Sequence, residues 1–200
     1  FAPHATCHVI GNGVDGDYFS AAENSPLQVS EPRCVFVGVQ NYEPNIDAIE
    51  WFCREVWPSV KNESPRAQLD IVGKSPAPRV EALAAGQDIH VTGSVPDVRP
   101  YLENATVVIA PLRVARGIQN KVLEAMSMAR AVVASPQALD GIDFANPPAL
   151  RATTPTDWRR AIVELFADSP RRHALEQQGP EFVGEHFRWD ANVRKIEALL

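Results

Sequence analysis

Short apolar segments alternate along the chain with longer segments in which apolar residues recur every three or four positions. The short segments are apolar at nearly every position, as expected of β-strands that are covered on both faces of a sheet. They are Cys7–Ile10, Cys34–Gly38, Leu69–Gly73, Ile89–Thr92, Val107–Ala110 and Ala131–Ala134. We predict a strand in each of them.

The longer segments have helical periodicity. In Pro44–Val60, the residues Ile46, Ile49 and Phe52 are spaced to share one helix face. The other predicted helices are Arg79–Ala85, Val98–Asn104, Ile118–Met128, Asp157–Ala167, Arg171–Glu185 and Asp190–Leu200. Alternating strands and helices predict an α/β fold, a Rossmann-like doubly wound parallel sheet with extra C-terminal helices. Such sheets bind ligands outside the carboxyl ends of their strands, so we expect a site in the loops after Gly38, Gly73, Thr92 and Ala110.

Composition narrows the class of protein. The 200 residues suffice for one domain, and the net charge of -6 without a Lys/Arg cluster argues against a nucleic-acid surface. No apolar segment is long enough to cross a bilayer. Three cysteines in apolar segments indicate reduced thiols, so we predict a cytoplasmic protein. Because the chain starts at Phe1 and continues directly into a predicted strand, we expect a fragment of a longer protein.

Two motifs near the start of the chain match known patterns by letter only. Gly11–Gly16 has the GxGxxG spacing, but no amphipathic helix follows it to receive a pyrophosphate. Asp15 and Asp17 imitate a DxD metal motif, and Asp beside Gly is ordinary turn chemistry. The five histidines lack metal-ligand spacing. We predict a turn here, and no metal.

The segment Arg113–Glu124 carries the strongest chemical signal. It follows a buried strand, and we expect Gly117 to begin a helix whose amides form an anion site. Lys121 and Glu124 are three residues apart and share one face of that helix. An ammonium for phosphates and a carboxylate for ribose hydroxyls fit a nucleoside diphosphate. The alternative is a solvated Lys–Glu surface pair.

These residues resemble the C-terminal, donor-binding domain of a group 1 (family 4) glycosyltransferase of the GT-B fold. The resemblance covers almost the whole chain and rests on several motifs. They are Val9–Asp15, Val35–Gly38, Leu69–Gly73, Val91–Asp97, Lys121–Met126, Ala131–Ser135, Ala138–Ile142 and Phe187–Trp189. The variant Tyr42-Glu43-Pro44-Asn45 with Arg116–Lys121 is similar to a subgroup associated with bacterial exopolysaccharide and exosortase systems.

The resemblance implies roles for individual residues. Glu124 would hold the donor ribose, and Lys121 would act with it as the catalytic pair. The substrate-binding residues would be Gly38, Gly73, Lys74, Gly93, Ser94, Val95, Pro96, Arg116, Gly117, Ile118, Gln119, Asn120, Lys121 and Glu124. Residues 1–188 would bind the nucleotide sugar, and the helix at 189–200 would pack toward an N-terminal acceptor domain.

The implied reaction transfers a sugar from a nucleoside diphosphate to a glycan or lipid-linked acceptor, with retention of configuration and without a cofactor or metal. Membrane-surface association would come only through the acceptor domain. A sugar-nucleotide epimerase of the same two-domain type and a non-catalytic interaction domain are the alternatives.

The chain departs from the family pattern at four places. Arg116 replaces the first glutamate of the E-x7-E motif, the loop Gly38–Pro44 lacks a basic residue, and Ala129 and Ala131 stand where a glycine and a proline are usual. Arg116 could contact a phosphate or the sugar. Ala129 would cost about 1–2 kcal/mol if it adopts a left-handed conformation.

Overall fold

A computed structural model describes residues 11–21, 31–86 and 88–197. Its centre is a six-stranded, wholly parallel sheet in the order β3-β2-β1-β4-β5-β6. The strands are β1 Arg33–Val37, β2 Gln68–Val72, β3 Ile89–Val91, β4 Val107–Ala110, β5 Val132–Ala134 and β6 Leu150–Arg151. The doubly wound parallel fold is therefore confirmed. The predicted strand Cys7–Ile10 lies outside the described residues.

Helices connect the strands and cover both faces of the sheet. They are α1 Glu43–Trp51, α2 Trp57–Glu63, α3 Pro78–Glu81, α4 Arg99–Glu103, α5 Asn120–Ser127, α6 Pro136–Leu139, α7 Pro155–Ala167, α8 Ser169–His186 and α9 Trp189–Glu197. A π-helical turn, Phe52–Val56, joins α1 to α2. Short 3₁₀ turns occupy Ala82–Ala85 and Asp143–Ala145. No described helix is both long and apolar enough to span a membrane.

Strand side chains alternate between two hydrophobic cores, which explains why the strands are apolar at every position. One core joins Val35 and Val108 to α5 and α8 through residues such as Met126. The other joins Phe36 and Ile109 to the helical segment 43–63 and to α7. Its aromatic centre consists of Phe52, Trp57 and Trp158. The sheet is therefore enclosed on both faces, and its strand ends are the places left for a ligand.

The segment 11–21 forms a turn and not a dinucleotide fingerprint. Oδ1 of Asp15 accepts backbone hydrogen bonds from Asp17 at 3.1 Å and Tyr18 at 2.9 Å. The amide of Val14 donates to the carbonyl of Phe187 at 2.8 Å. These contacts tie the turn to the junction between α8 and α9, so Asp15 has a structural use for its carboxylate.

Candidate nucleotide-binding site

The strand order reverses beside β1, because β2 lies on one side of it and β4 on the other. The loops after β1 and β4 lead to helices on opposite faces, and a crevice opens between them. A bidentate ion pair spans this crevice from Arg113 to Asp47, with Nε 2.9 Å from Oδ2. The hydrogen bond from Arg113 holds the pKa of Asp47 below its ordinary value. The two predicted loops therefore meet at one site.

Lys121 lies at the base of this crevice. Its ammonium donates to Oδ1 of Asn45 at 2.6 Å and lies 4.5 Å from the centre of the Phe36 ring. It also lies 2.9 Å from the position that the Cβ atom of a side chain at residue 38 would occupy in place of Gly38. Asn45 in turn donates to the carbonyl of Val39 at 2.9 Å. The side chain thus reaches from the first turn of α5 to the end of β1.

The charges of Lys121 and Glu124 are poorly compensated. Burial lowers the pKa of Lys121 to about 8, and Glu124 opposes this shift only in part. Burial also raises the pKa of Glu124. Within the described residues, Lys121 pairs with a neutral amide and not with a carboxylate. Lys121 and Glu124 are only partly exposed, in contrast to the fully solvated Lys–Glu pair of the alternative, and ionisable groups whose pKa is shifted by burial are common at functional sites.

The loops after β1 and β2 are locked together. Gly73 has φ +147°, and a side chain on it would meet the carbonyl oxygen of Gly38 at 1.8 Å. Gln40 is fully buried and donates to the carbonyls of Gly38 and Val72 at 2.9 and 3.2 Å. Its amide nitrogen on the main chain donates to the carbonyl of Lys74 at 2.9 Å. Gly73 and Lys74 therefore shape the loop that carries Gly38, and the Lys74 side chain itself is exposed.

The prediction that Gly117 begins a helix is wrong. Helix α5 begins at Asn120, after Gln119 in an extended conformation, because Gly117 adopts φ +65°. The loop is supported from below by Gly141, where a side chain would lie 2.4 Å from the carbonyl carbon of Gly117. Ile118 is half-buried in this loop. An anion here would meet a glycine loop followed by a helix, and not helix amides at Gly117.

The residues expected beside the base lie in the loop after β3. Gly93 adopts φ +67°, Ser94 and Pro96 are exposed, and Val95 packs against the core beneath α5. Asp97 ends this loop and accepts three hydrogen bonds from the Arg99 guanidinium. Hydrogen bonds between Asp97 and Arg99 thus brace the end of the loop, while Gly93 is partly exposed and Ser94 is exposed.

Sequence reasoning did not assign Asn45, Gln40, Asp47 or Gly141 to the site. Asn45 and Asp47 follow the predicted strand Cys34–Gly38 and lie within a predicted helix, and that position was their one available signal. Gln40 and Gly141 contact loops that are distant in the sequence and come together only in the folded structure. No group of three or more His, Cys, Asp or Glu residues that could hold a metal occurs in the described part of the chain.

The fold and crevice define an α/β domain of the doubly wound class, with its candidate site at the reversal of strand order. Residues 31–168 match the family model of group 1 glycosyl transferases. This match covers more than half of the chain, which therefore belongs to the group 1 glycosyltransferase family.

Comparisons with individual proteins agree with this assignment. The chain is 28% identical over 86 residues to an uncharacterized glycosyltransferase of Methanocaldococcus jannaschii, covering 42% of this chain and 22% of that protein. Sucrose-phosphate synthase from Thermosynechococcus elongatus superposes with a TM-score of 0.76 at 22% identity, over 96% of this chain and 51% of the other. Anabaena HepE in complex with UDP and glucose gives 0.73 at 13% identity, over 96% and 56%. The chain spans about half the length of these two structures.

Proposed function

We propose that this chain is the donor-binding half of a retaining glycosyltransferase, which transfers a sugar from a nucleoside-diphosphate sugar to a glycan or lipid-linked acceptor. The observation that carries the proposal is the ammonium of Lys121. It is enclosed beside Gly38 at the reversal of strand order and has no carboxylate partner among the described residues. A largely desolvated cation that Glu124 compensates only in part is stabilised when an anion completes the site, and a diphosphate is such an anion.

In the proposed reaction, the bond between the anomeric carbon and the diphosphate oxygen breaks. The acceptor hydroxyl oxygen forms a bond to the same face of that carbon, and its proton leaves with the diphosphate. Lys121 would stabilise the negative charge that develops on the leaving group. The segment Gly117–Lys121 would surround the phosphates, and Glu124 would accept hydrogen bonds from the ribose hydroxyls. Gly93, Ser94, Val95 and Pro96 would lie beside the base.

The similarity to HepE, whose structure contains UDP and glucose, supports a nucleotide-sugar donor. We propose that the acceptor binds to a second domain, since this chain spans about half of that structure. Helix α9 is our candidate for the contact with that domain, because Trp189 and Val193 are 44% and 45% exposed one turn apart. A cytoplasmic role in exopolysaccharide synthesis belongs to the same proposal and rests on the sequence motifs.

The proposal is tested by titrating the 200-residue chain with UDP, GDP and ADP and with the matching nucleosides. Lys121→Ala should weaken the preferred diphosphate roughly ten- to a hundred-fold and the nucleoside little, because a charged hydrogen bond contributes about 1.5–3 kcal/mol. Arg160→Ala removes an exposed cation on α7 and is the control. Equal losses for diphosphate and nucleoside would refute the role of Lys121. Absence of nucleotide binding would refute the donor-binding function.

We further propose that binding needs no metal. The Asp15 carboxylate is engaged by the amides of its own turn. Nucleotide affinity should therefore be the same in EDTA as in Mg²⁺ or Mn²⁺. An affinity that is lost in EDTA and restored by either ion would revive the metal site at Asp15 and Asp17. The chain alone should bind nucleotide without transferring sugar, because the proposed reaction takes place between two domains.

A further inference from the structure

A second cavity adjoins the base of the crevice. It has a volume of about 220 Å³, which suits one small group and not a whole nucleotide sugar. Its lining comes from Tyr42 and the first turn of α1, from the loop after β4 and from the residue before α5. Asn45 is common to both places, since it lines this cavity and accepts the hydrogen bond from Lys121. A ligand whose phosphate lies at Lys121 would therefore place its next group in this cavity.

Arg116 is the charged residue in the lining of this cavity. The neighbouring arginines are already paired, Arg113 with Asp47 and Arg79 with Glu43 and Glu50. Arg116 is exposed, and no carboxylate in the described part of the chain pairs with it. Its guanidinium is therefore available to a ligand, whereas the other two are held by the protein.

None of the described residues that line the cavity around Arg116 is an aspartate or a glutamate. Tyr42, 59% exposed, and Val114, 62% exposed, supply apolar surface. The side-chain amide nitrogen of Gln119 donates to the carbonyls of Arg116 and Gly117, at 3.3 and 3.2 Å, and so fixes the loop. A guanidinium offers donors only, in a planar fork that matches a carboxylate. A sugar recognised here by its hydroxyls alone would lack a carboxylate acceptor in the lining.

We infer that the donor sugar carries a carboxylate, as uronic acids do, and that Arg116 binds this carboxylate and determines donor specificity. The inference rests on the proposed donor-binding function. Lys121 binds the diphosphate on one side of Asn45, and Arg116 binds the carboxylate of the sugar on the other side. The alternative is that Arg116 binds the diphosphate itself, and the two roles predict different ligand dependence.

The test compares sugars that differ only at the carboxylate. The probes are UDP, UDP-glucose and UDP-glucuronic acid, with GDP, GDP-mannose and GDP-mannuronic acid as the guanine set. We expect the chain to bind the uronate roughly ten- to a hundred-fold more tightly than the neutral sugar. Arg116→Ala should abolish that preference and leave the affinity for the bare diphosphate unchanged. Arg116→Lys should keep part of it, because the charge remains and the bidentate fork is lost.

Arg160→Ala is again the matched control and should change none of these affinities. An equal loss for the diphosphate and both sugars in Arg116→Ala would place Arg116 on the phosphates and overturn the inference, while the donor-binding function would stand. A wild-type preference for the neutral sugar would also overturn it. Failure of the wild-type chain to bind any of the diphosphates would instead refute the donor-binding function on which the inference rests.

Discussion

The two ends of the parallel sheet differ in whether their desolvated charges have a charged partner. At the amino end of β1, Nη1 of Arg33 lies 2.8 Å from both carboxylate oxygens of Asp70, with side chains 28% and 8% exposed. The backbone of Arg33 is joined to Thr106 by two further hydrogen bonds. At the carboxyl end, Lys121 has an amide as its hydrogen-bond partner, and burial perturbs the pKa of both Lys121 and Glu124.

The charges at the amino end stabilise the fold, whereas the charges at the carboxyl end are desolvated by the fold without a full partner. A buried ion pair whose partners satisfy one another is destabilising to break, because the remaining charge is left without compensation. Charges that are desolvated without a full partner weaken the folded state and persist where a ligand supplies the missing interaction. Stability and nucleotide binding should therefore respond in opposite ways to substitutions at the two ends.

The largest expected effect is on stability at the amino end. Arg33→Met leaves the carboxylate of Asp70 buried and unpaired, and we expect the free energy of unfolding to fall by about 3 kcal/mol. Nucleotide affinity of the folded protein should not change. Urea unfolding and nucleotide titration measure the two quantities. Arg171→Met breaks the more exposed pair with Glu164 and should cost less than about 1 kcal/mol. Equal losses in the two variants would remove the distinction between the pairs.

The next effect is on binding at the carboxyl end and depends on pH. Lys121 loses its proton in the free protein at a pKa of about 8, whereas a bound diphosphate favours the charged form. Affinity for a nucleoside diphosphate should therefore be nearly full at pH 7 and fall roughly tenfold by pH 9.5. Isothermal titration at fixed ionic strength measures it.

Lys121→Arg is the control for this pH dependence, because arginine stays charged throughout the range. Its affinity should be lower than that of the wild type at pH 7, since a guanidinium is larger than the ammonium that contacts Asn45, but it should not vary with pH. A wild-type profile that is flat, or a decline that persists in Lys121→Arg, would assign the titration to another group.

Glu124→Gln tests the same end through both stability and binding. Because burial raises the pKa of Glu124 in the folded protein, its carboxylate opposes folding above the ordinary pKa, and the cost grows as pH rises through the folded pKa. The variant should be more stable than the wild type at pH 7 and equal to it near pH 4. It should also bind ribonucleoside diphosphates about tenfold less tightly.

A 2′,3′-dideoxynucleoside diphosphate isolates the ribose contact in Glu124→Gln. Binding of this analogue should already be weak and should barely change, as expected when the substitution removes an interaction that the ligand cannot make. Equal weakening of the ribose and dideoxy ligands would show that Glu124 acts elsewhere. Lower stability at pH 7 would assign Glu124 to the structural class of Arg33.

The fold was largely predictable because each central strand is covered on both faces and is therefore apolar throughout. The exceptions are short elements whose formation depends on neighbours. Strand β6 has two residues, Leu150 and Arg151, and pairs only because β5 presents an open edge. Helix α7 begins at Pro155 and not at Asp157, because Thr154 and Asp157 form a reciprocal capping box.

The candidate site was predictable where its residues lie together in sequence. Lys121 and Glu124 are on one helix, and their spacing alone suggested a shared face. The partner of Lys121 is 76 positions away, and the support of Gly117 comes from Gly141, so neither contact has a local signal. The helix start was misplaced because a positive φ at Gly117 cannot be distinguished from a helical glycine in the sequence.

The smallest effect concerns the far end of α5, where strain has no functional use. Ala129 has φ +52°, and the amides of Ala129 and Arg130 donate to the carbonyls of Met126 and Ala125 at 3.0 and 2.9 Å. This is the helix ending in which glycine is preferred, and Ala129 adopts the left-handed conformation whose cost was considered from the sequence. Ala129→Gly relieves about 1–2 kcal/mol of backbone strain and loses part of that gain through unfolded-chain entropy. The free energy of unfolding in urea should therefore rise by about 0.5–1 kcal/mol, with nucleotide affinity unchanged. A change in affinity would show that the backbone conformation at the end of α5 affects nucleotide binding at Lys121. Stability and binding would then not be separable within this helix.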